Sequence, residues 1–394
     1  MSLSVKQFSR FKYDPESLTN ILANHLYNLK EGPAVIPFRL FVYPSARCND
    51  SCRYCSDGAR AGSESSNSFL RYEPERDFFV NRKYIDKLVK DIKELEVRDI
   101  HLFGGGKPFF YKENMFYFLE RLKDEDIFIR IITNANNLDH RDVDYIVKNK
   151  LISSLNISFN TDSEETAKKL YADSSRHTHS LNILEDIVKC KELYGADFPR
   201  VNIMSILLNV NYDKITDIIH LIGRYKIDSF FLQPLRCSSN NQKEFILTKE
   251  QENVFRQGIP RLEDKLNEFK IFSNLSEFKH EVKDCSSNLL TDISSKHPEL
   301  RNKNNLILKC YLPLVTLAIS YNGNIPLCFF KYDKQYKHNY FGLNSLKEFI
   351  NSQEYTAFTK NLINGKLPEI CSDCNFCSLL ELETLRERFK SFEE

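Results

Sequence analysis

Short apolar runs alternate with amphipathic stretches from about residue 35 to residue 235. This alternation indicates parallel strands joined by crossover helices, because a strand covered on both faces is apolar throughout, whereas each helix is apolar on one face. The pattern predicts an α/β fold with strands at residues 38–42, 99–103, 128–133, 154–159, 201–208 and 229–233. The helices predicted between them span residues 82–96, 114–123, 141–148, 180–193 and 212–225.

The chain divides by pattern into four parts. These are a helical extension over residues 1–34, the α/β region at 35–237, a charged helical linker at 238–305 and a small α+β domain at 306–394. A polar loop is predicted at residues 60–81, and a turn from Tyr321 to Asn324 between apolar runs predicts a β-hairpin in the last part.

The composition restricts the partners and the compartment. Lys and Arg total 55 against 54 Asp and Glu, so the chain lacks the net charge on which nucleic-acid binding relies. No apolar run is long enough for a membrane helix, and the first residues lack the apolar core of a signal peptide, so we expect a cytoplasmic protein. Disulfides are not expected there, and eight of the 11 cysteines fall into two groups with metal-ligand spacing.

The first group is Cys48, Cys52 and Cys55, spaced by three and then two residues. Three thiolates on one short loop can hold a four-iron four-sulfur cluster and leave its fourth iron without a protein ligand. Such an iron is free to bind a substrate or cofactor directly. The alternatives are a zinc site completed by a distant His or Cys, and chance clustering.

This CxxxCxxC loop, with Tyr54 before its last cysteine and its place directly after the first predicted strand, resembles that of the radical S-adenosylmethionine enzymes. The resemblance implies a partial (β/α)6 barrel in which the three cysteines hold the cluster. It also implies that the amino and carboxylate groups of S-adenosylmethionine chelate the open iron, and that an electron from the cluster cleaves the sulfonium to give the 5′-deoxyadenosyl radical. A reducing partner such as flavodoxin or ferredoxin is expected, and Tyr54 would either border the adenine or simply pack.

A glycine-rich turn, Gly104-Gly105-Gly106-Lys107-Pro108, follows the second predicted strand. By resemblance it corresponds to the Gly-Gly-Glu-Pro motif that binds the methionyl amino group, with Gly105, Gly106 and Lys107 at the cofactor. Lys107 replaces the acidic residue, and an ammonium group cannot accept a hydrogen bond, so backbone carbonyls or another residue must do so. The turn also resembles that of oxygen-independent coproporphyrinogen oxidases, which tolerates a non-acidic residue; a catalytically impaired relative is the alternative.

Further cofactor contacts are expected at the carboxyl ends of the later strands, where active sites of such folds lie. The resemblance implies that Ser158 and Arg176 hold the carboxylate and ribose, that Asn209 or Asn211 contacts ribose, and that Leu232 offers its backbone to adenine. Short polar side chains at strand ends add Asn134 and Asn160. For each of these residues a helix cap or a surface role is the competing interpretation.

The second cysteine group resembles the Twitch and SPASM extensions of the same enzymes. It comprises Cys310, Cys328, Cys371, Cys374 and Cys377. The resemblance implies an auxiliary four-iron four-sulfur cluster on the first four, with Cys377 spare or substituting for one of them. Four thiolates would saturate that cluster, which favours electron transfer. A structural zinc site on the same cysteines remains the alternative.

The substrate is the least constrained part of the prediction. The chain before the first strand is too short for a separate leader-binding domain, so we expect hydrogen abstraction from a small polar metabolite of the sugar, nucleoside or aminocyclitol type. The alternative is a peptide-modifying maturase acting on a ribosomal precursor peptide or on a sulfatase. From another class, the chain could be a non-catalytic iron–sulfur or zinc-binding protein.

Overall fold

The computed structural model describes residues 37–55, 77–235, 240–279, 310, 312–329, 338–364 and 366–371. The predicted N-terminal extension, most of the predicted 60–81 loop, much of the linker, and Cys374 and Cys377 lie outside these residues.

An open sheet of eight parallel strands forms the centre of the fold, in the order β7-β6-β5-β4-β3-β2-β1-β8. The strands are β1 Arg39–Val42, β2 Asp99–Leu102, β3 Phe128–Thr133, β4 Ser154–Ser158, β5 Arg200–Leu207, β6 Ser229–Pro234, β7 Phe272–Ser273 and β8 Thr316–Ile319. The six predicted strands are confirmed to within one residue at either end, and each pairs with its neighbours in the chain. This is the parallel α/β fold that the alternation predicted, and its open sheet is consistent with the partial barrel that the resemblance implied.

Helices connect the strands and cover one face of the sheet. They are α1 Arg82–Glu94, α2 Lys112–Leu122, α3 His140–Lys148, α4 Glu164–Leu170, α5 Arg176–Tyr194, α6 Ile215–Ile222, α7 Lys249–Glu268, α8 Leu312–Val315, α9 Leu346–Ile350 and α10 Gln353–Ile363. The Asn81 side chain caps α1 by accepting from the Lys83 amide. Ile85, Leu88 and Ile92, three or four residues apart, are fully buried, as the amphipathic pattern predicts.

Alternation along the strands gives the sheet two different faces. In β3, Ile129 and Ile131 join the large hydrophobic core with the helices, whereas Arg130 lies on the opposite face. Asn156 of β4 and Asn202 of β5 are hydrogen-bonded at 2.6 Å. The face away from the helices therefore carries polar side chains, as expected of a barrel interior that binds a ligand.

The turn from Tyr321 to Asn324 is closed by two backbone hydrogen bonds to Ser320, but among the described residues no antiparallel strand pairs with β8, contrary to the predicted hairpin. All four residues of β8 are buried, and the strand pairs in parallel with β1, extending the main sheet. After the turn, Asn324 forms an antiparallel bridge with Asn339. Leu317 and Ile319 of β8 belong to the large hydrophobic core, so the strand extends the buried part of the sheet beyond β1. The predicted domain boundaries stay predictions.

Within the described ranges, no helix has the length and apolar content needed to cross a membrane.

Candidate active site

The three cysteines of the first group lie on the loop that follows β1, at the carboxyl end of the sheet. Cys48, Cys52 and Cys55 are all half-buried. The Cys55 amide donates to the Cys52 carbonyl at 3.1 Å, which folds the end of the loop into a turn. The loop therefore presents its thiols where the carboxyl ends of the strands meet.

The glycine-rich turn after β2 is docked on the cysteine loop. The Gly106 amide donates to Ser45 O at 2.9 Å, and the Lys107 amide donates to Arg47 O at 2.8 Å. A Cβ on Gly106 would lie 1.8 Å from that Arg47 oxygen, so any side chain there would separate the turn from the loop. Gly105, at φ +56°, adopts the left-handed conformation that glycine tolerates best.

A buried ion pair lies beside Cys52. Arg176, at the start of α5, forms an ion pair with Asp50 of the cysteine loop, and its Nη1 also donates to Cys52 Sγ at 3.1 Å. Its Nη2 donates to the Ser158 carbonyl at 3.1 Å. The Asn134 amide lies 3.4 Å from Asp50 Oδ2 and 3.2 Å from Asn49 Oδ1. The structure thus brings Arg176, Ser158 and Asn134 together at the loop.

Two cations face the thiols. Burial raises the pKa of the Cys48 thiol, and the nearby Lys107 ammonium opposes this increase. Burial likewise raises the pKa of Cys52, and Arg176 opposes it. The two cations offset the effect of burial only in part, so the pKa of both thiols stays raised in the absence of metal. Lys107, which replaces the expected acid, therefore contributes positive charge to the cysteine loop.

Tyr54 lies in a polar–aromatic pocket beside the loop. Its hydroxyl accepts from the Asn160 amide at 2.6 Å, and the Tyr171 hydroxyl accepts from the same amide at 3.0 Å. Asn160 Oδ1 accepts from the Ile206 amide at 2.7 Å, which ties β4 to β5. Tyr54 and Asn160 are both predicted cofactor residues, and the structure brings them into direct contact.

Two predicted cofactor residues have other contacts. The Asn209 side chain donates to Glu244 O at 2.7 Å. The Leu232 amide donates to Asn274 Oδ1, and the Asn274 amide donates back to Leu232 O, each at 2.9 Å. The structure does not place Asn209 or Leu232 in contact with the cysteine loop, and their roles at ribose and adenine stay predictions.

Sequence reasoning missed Asp50, Tyr171 and Gln242. Tyr171 stacks under the Arg176 guanidinium, with the ring centroid 4.0 Å from Cζ, and Gln242 donates to the Tyr54 carbonyl at 3.1 Å. Only Asp50 could have been found from the sequence, because it is a carboxylate between two cysteines with metal-ligand spacing. The other two residues reach the site through chain folding alone.

The residues around the loop fit an iron–sulfur cluster with a bound cofactor. Three thiols are grouped on one loop, two cations compensate the thiolate charge, and the Gly106 contact allows a backbone turn to lie against the loop. In the part of the chain that the structure describes, no three His, Cys, Asp or Glu side chains converge to hold a single metal ion.

Three cysteines of the second group are described. Cys310 precedes α8, Cys328 is buried after the turn that follows β8, and Cys371 ends a short helix, Glu369–Cys371. The ring of Phe329, next to Cys328, lies 4.7 Å from Phe41 of β1. Cys328 is therefore adjacent in the chain to an aromatic contact with the sheet.

Comparison with known families agrees with these observations. A sequence profile of the radical SAM superfamily matches residues 42–222, and a profile of the SPASM iron–sulfur cluster-binding domain matches residues 310–375. No curated protein matches the chain by sequence.

Solved structures share the fold. Streptococcus suis SuiB bound to S-adenosylmethionine has a TM-score of 0.58 and 19% identity, over 88% of this chain and 72% of SuiB. SuiB bound to its precursor peptide SuiA has a TM-score of 0.57 and 17% identity, over 93% of this chain and 74% of SuiB. Native anSMEcpe with bound AdoMet and the Cp18Cys peptide has a TM-score of 0.52 and 14% identity, over 90% of this chain and 96% of that chain.

The chain is an enzyme whose cofactors are a four-iron four-sulfur cluster, S-adenosylmethionine and auxiliary iron–sulfur clusters. The two matched profiles span the first cysteine group and, of the second, Cys310, Cys328, Cys371 and Cys374, and the eight-stranded open sheet agrees with them. The chain therefore belongs to the radical SAM superfamily and carries a C-terminal SPASM-type iron–sulfur domain.

Proposed function

We propose that the chain is a peptide-modifying radical S-adenosylmethionine enzyme, with Cys48, Cys52 and Cys55 as the ligands of its catalytic cluster. When bound, the cluster and cofactor supply reductive cleavage of S-adenosylmethionine and abstraction of one substrate hydrogen atom. The three cysteines lie on one loop at the carboxyl end of the sheet, and the polar face of the sheet extends below them. This arrangement supports the assignment of the cluster to that loop.

The chain's own residues bind and orient the cofactor in this proposal. Gly105 and Gly106 bring the backbone of the turn against the loop, and its carbonyl oxygens replace the acid that Lys107 cannot provide. Tyr54, fixed by Asn160, forms one wall of the adenine site. Arg176 and Ser158 lie together at Cys52, where they would hold the carboxylate and ribose of the cofactor.

The second cysteine group is proposed to hold the auxiliary cluster. In this assignment its ligands are Cys310, Cys328, Cys371 and Cys374. Cys377 is either spare or substitutes for one of them. A cluster with four thiolates has no open iron, so its role is to accept or donate an electron. The Phe329 contact with Phe41 supports a location beside the barrel for Cys328.

A peptide is the substrate that the comparisons favour, in place of the small polar metabolite expected from sequence. The observation that carries this proposal is the likeness, over 90% or more of this chain, to SuiB with its precursor peptide and to anSMEcpe with the Cp18Cys peptide. The linear strand order of the sheet also supports it. A sheet with two separate edge strands leaves more room beside its polar face than a closed barrel does.

The test uses the full chain, reconstituted anaerobically with iron and sulfide and reduced with dithionite. It is incubated with S-adenosylmethionine and either a synthetic library of short peptides or a panel of sugars, nucleosides and aminocyclitols. We expect the peptides to stimulate 5′-deoxyadenosine formation and to change in mass. Stimulation by the metabolite panel alone would overturn the peptide proposal.

A Cys52→Ala variant controls for the reaction class, and Cys190→Ala serves as its match because Cys190 is buried in α5, outside both cysteine groups. The first substitution should abolish 5′-deoxyadenosine formation, and the second should leave it measurable. Equal activity in the two variants would refute the assignment of the cluster to the first group.

A further inference from the structure

A carboxylate is buried inside the cysteine loop itself. Asp50 stands between Cys48 and Cys52, and its side chain is only 3% exposed. Its Oδ2 lies 3.5 Å from Cys52 Sγ and within an ion pair with Arg176, while its Oδ1 accepts from the Ser51 amide at 2.8 Å. A buried carboxylate so close to a metal-ligand sulfur requires compensation, because both groups are negative when the cluster is bound.

Arg176 provides that compensation and contacts the sulfur directly. Its side chain is also 3% exposed, and its Nη1 is shared between Asp50 and Cys52 Sγ, 3.1 Å away. The guanidinium is fixed from two further directions, by the Ser158 carbonyl at 3.1 Å and by the Tyr171 ring at 4.0 Å. Because arginine stays charged at every accessible pH, this contact is a permanent charge-assisted hydrogen bond to the sulfur.

The two charges act on the cluster in opposite directions. The reduction potential of an iron–sulfur cluster depends on nearby charge and on hydrogen bonds to its sulfurs. A cation that donates to Cys52 stabilises the reduced, more negative cluster, and a carboxylate beside the same sulfur destabilises it. Both side chains are buried, so solvent and salt screen these effects only weakly.

We propose that the Asp50–Arg176 pair sets the reduction potential of the cluster at Cys48, Cys52 and Cys55. Asp50 is a positioning residue: it pairs with the guanidinium that contacts Cys52, and its negative charge opposes that of Arg176 at the same sulfur. This inference rests on the proposed assignment of those three cysteines as cluster ligands. It assigns Arg176 a role at the sulfur in addition to the cofactor contact that its position predicts.

The test is a redox titration of the full-length holoenzyme, followed by electron paramagnetic resonance. The relevant signal is the one that changes when S-adenosylmethionine is added, which separates the catalytic cluster from the auxiliary one. Asp50→Asn should raise the midpoint potential, so that the ratio of reduced to oxidised cluster at a fixed potential increases about tenfold, equivalent to about 59 mV for one electron. Arg176→Gln should shift the midpoint downward, and the double variant should fall between the two.

Two further variants keep the test decisive. Asp217→Asn removes an exposed carboxylate from α6 and should leave the midpoint unchanged. Arg176→Lys keeps the charge and should lie closer to wild type than Arg176→Gln. If Asp50→Asn does not retain its cluster, the difference in midpoint potential between Arg176→Gln and Arg176→Lys tests the proposal instead. Equal midpoints for these two variants would then overturn it.

Shifts in the same direction for Asp50→Asn and Arg176→Gln, or no shift in either loaded variant, would overturn the inference and leave the proposed function intact. If the wild-type chain assembles no cluster on the three cysteines, the assignment fails and the inference fails with it. Iron content and the optical spectrum of each variant distinguish these two outcomes.

Discussion

Each end of the sheet buries an aspartate–arginine ion pair, but the two pairs have different surroundings. At the amino end, Asp99 of β2 accepts from Arg39 Nε of β1 at 2.6 Å, and His101 Nε2 lies 3.1 Å from Asp99 Oδ2. At the carboxyl end, the Asp50–Arg176 pair contacts a cysteine sulfur. The first pair joins two neighbouring strands, and the second joins a loop to a helix that begins 126 residues later.

The electrostatics at the amino end favour one fixed charge state. Burial alone would raise the pKa of Asp99, but His101, Arg39 and Arg130 together hold it well below its usual range. Burial also lowers the pKa of His101 to about 4, against the attraction of Asp99. The amino end therefore holds an ionised aspartate and a neutral histidine at pH 7. Charge therefore stabilises the fold at the amino end, whereas the proposed role of the pair at the carboxyl end is in the reaction.

The largest expected effect is on the amino-end pair. Asp99→Asn removes the buried anion that Arg39 and His101 share, and loss of one partner of a buried ion pair costs about 3–5 kcal/mol. We expect the free energy of unfolding of the holoenzyme to fall by that amount in denaturant titrations, with Asp217→Asn as the unaffected control. The midpoint potential of the catalytic cluster should not move. A shift in that potential would show that the two ends are not separate in function.

A smaller effect is expected from His101. Its pKa in the folded state lies below the usual 6.5, so between about pH 4 and 6.5 the unfolded chain binds the extra proton and wild-type stability rises with pH. The full change is worth about 3 kcal/mol at 1.36 kcal/mol per unit. In His101→Gln this contribution is absent, so the stability difference between wild type and variant should grow with pH across that window. A difference that is independent of pH would contradict a neutral buried His101.

Local pattern was enough to predict the six central strands, the cysteine loop and the glycine turn, because each depends on residues close together in the chain. The same pattern could not place β8 on β1, since the paired residues Arg39 and Thr316 are far apart in the sequence. It also could not show that Arg176 contacts Asp50 and Cys52. The sequence shows a carboxylate within the loop, but its partner Arg176 comes close to it only because α5 packs beside the end of β4.

The last and smallest expected effect concerns Asp77, at the carboxyl end. Its side chain accepts from Ser45 Oγ at 2.8 Å, just before the cysteine loop, and burial raises its pKa to about 6. Because the folded chain holds this proton more tightly than the unfolded chain, Asp77 stabilises the fold at low pH. That stabilisation, about 2–3 kcal/mol, is lost as pH rises from about 4 to 6. The sign is opposite to that of His101.

In Asp77→Asn this loss is absent, so the variant should gain stability relative to wild type as pH rises through the same window. Unfolding titrations at several pH values should therefore give difference curves of opposite slope for Asp77→Asn and His101→Gln. At pH 7 Asp77 is therefore expected to be mostly ionised beside the cysteine loop, and this charge lowers the stability of the fold. Parallel slopes for the two variants would mean that the ends of the sheet do not differ in how they hold charge.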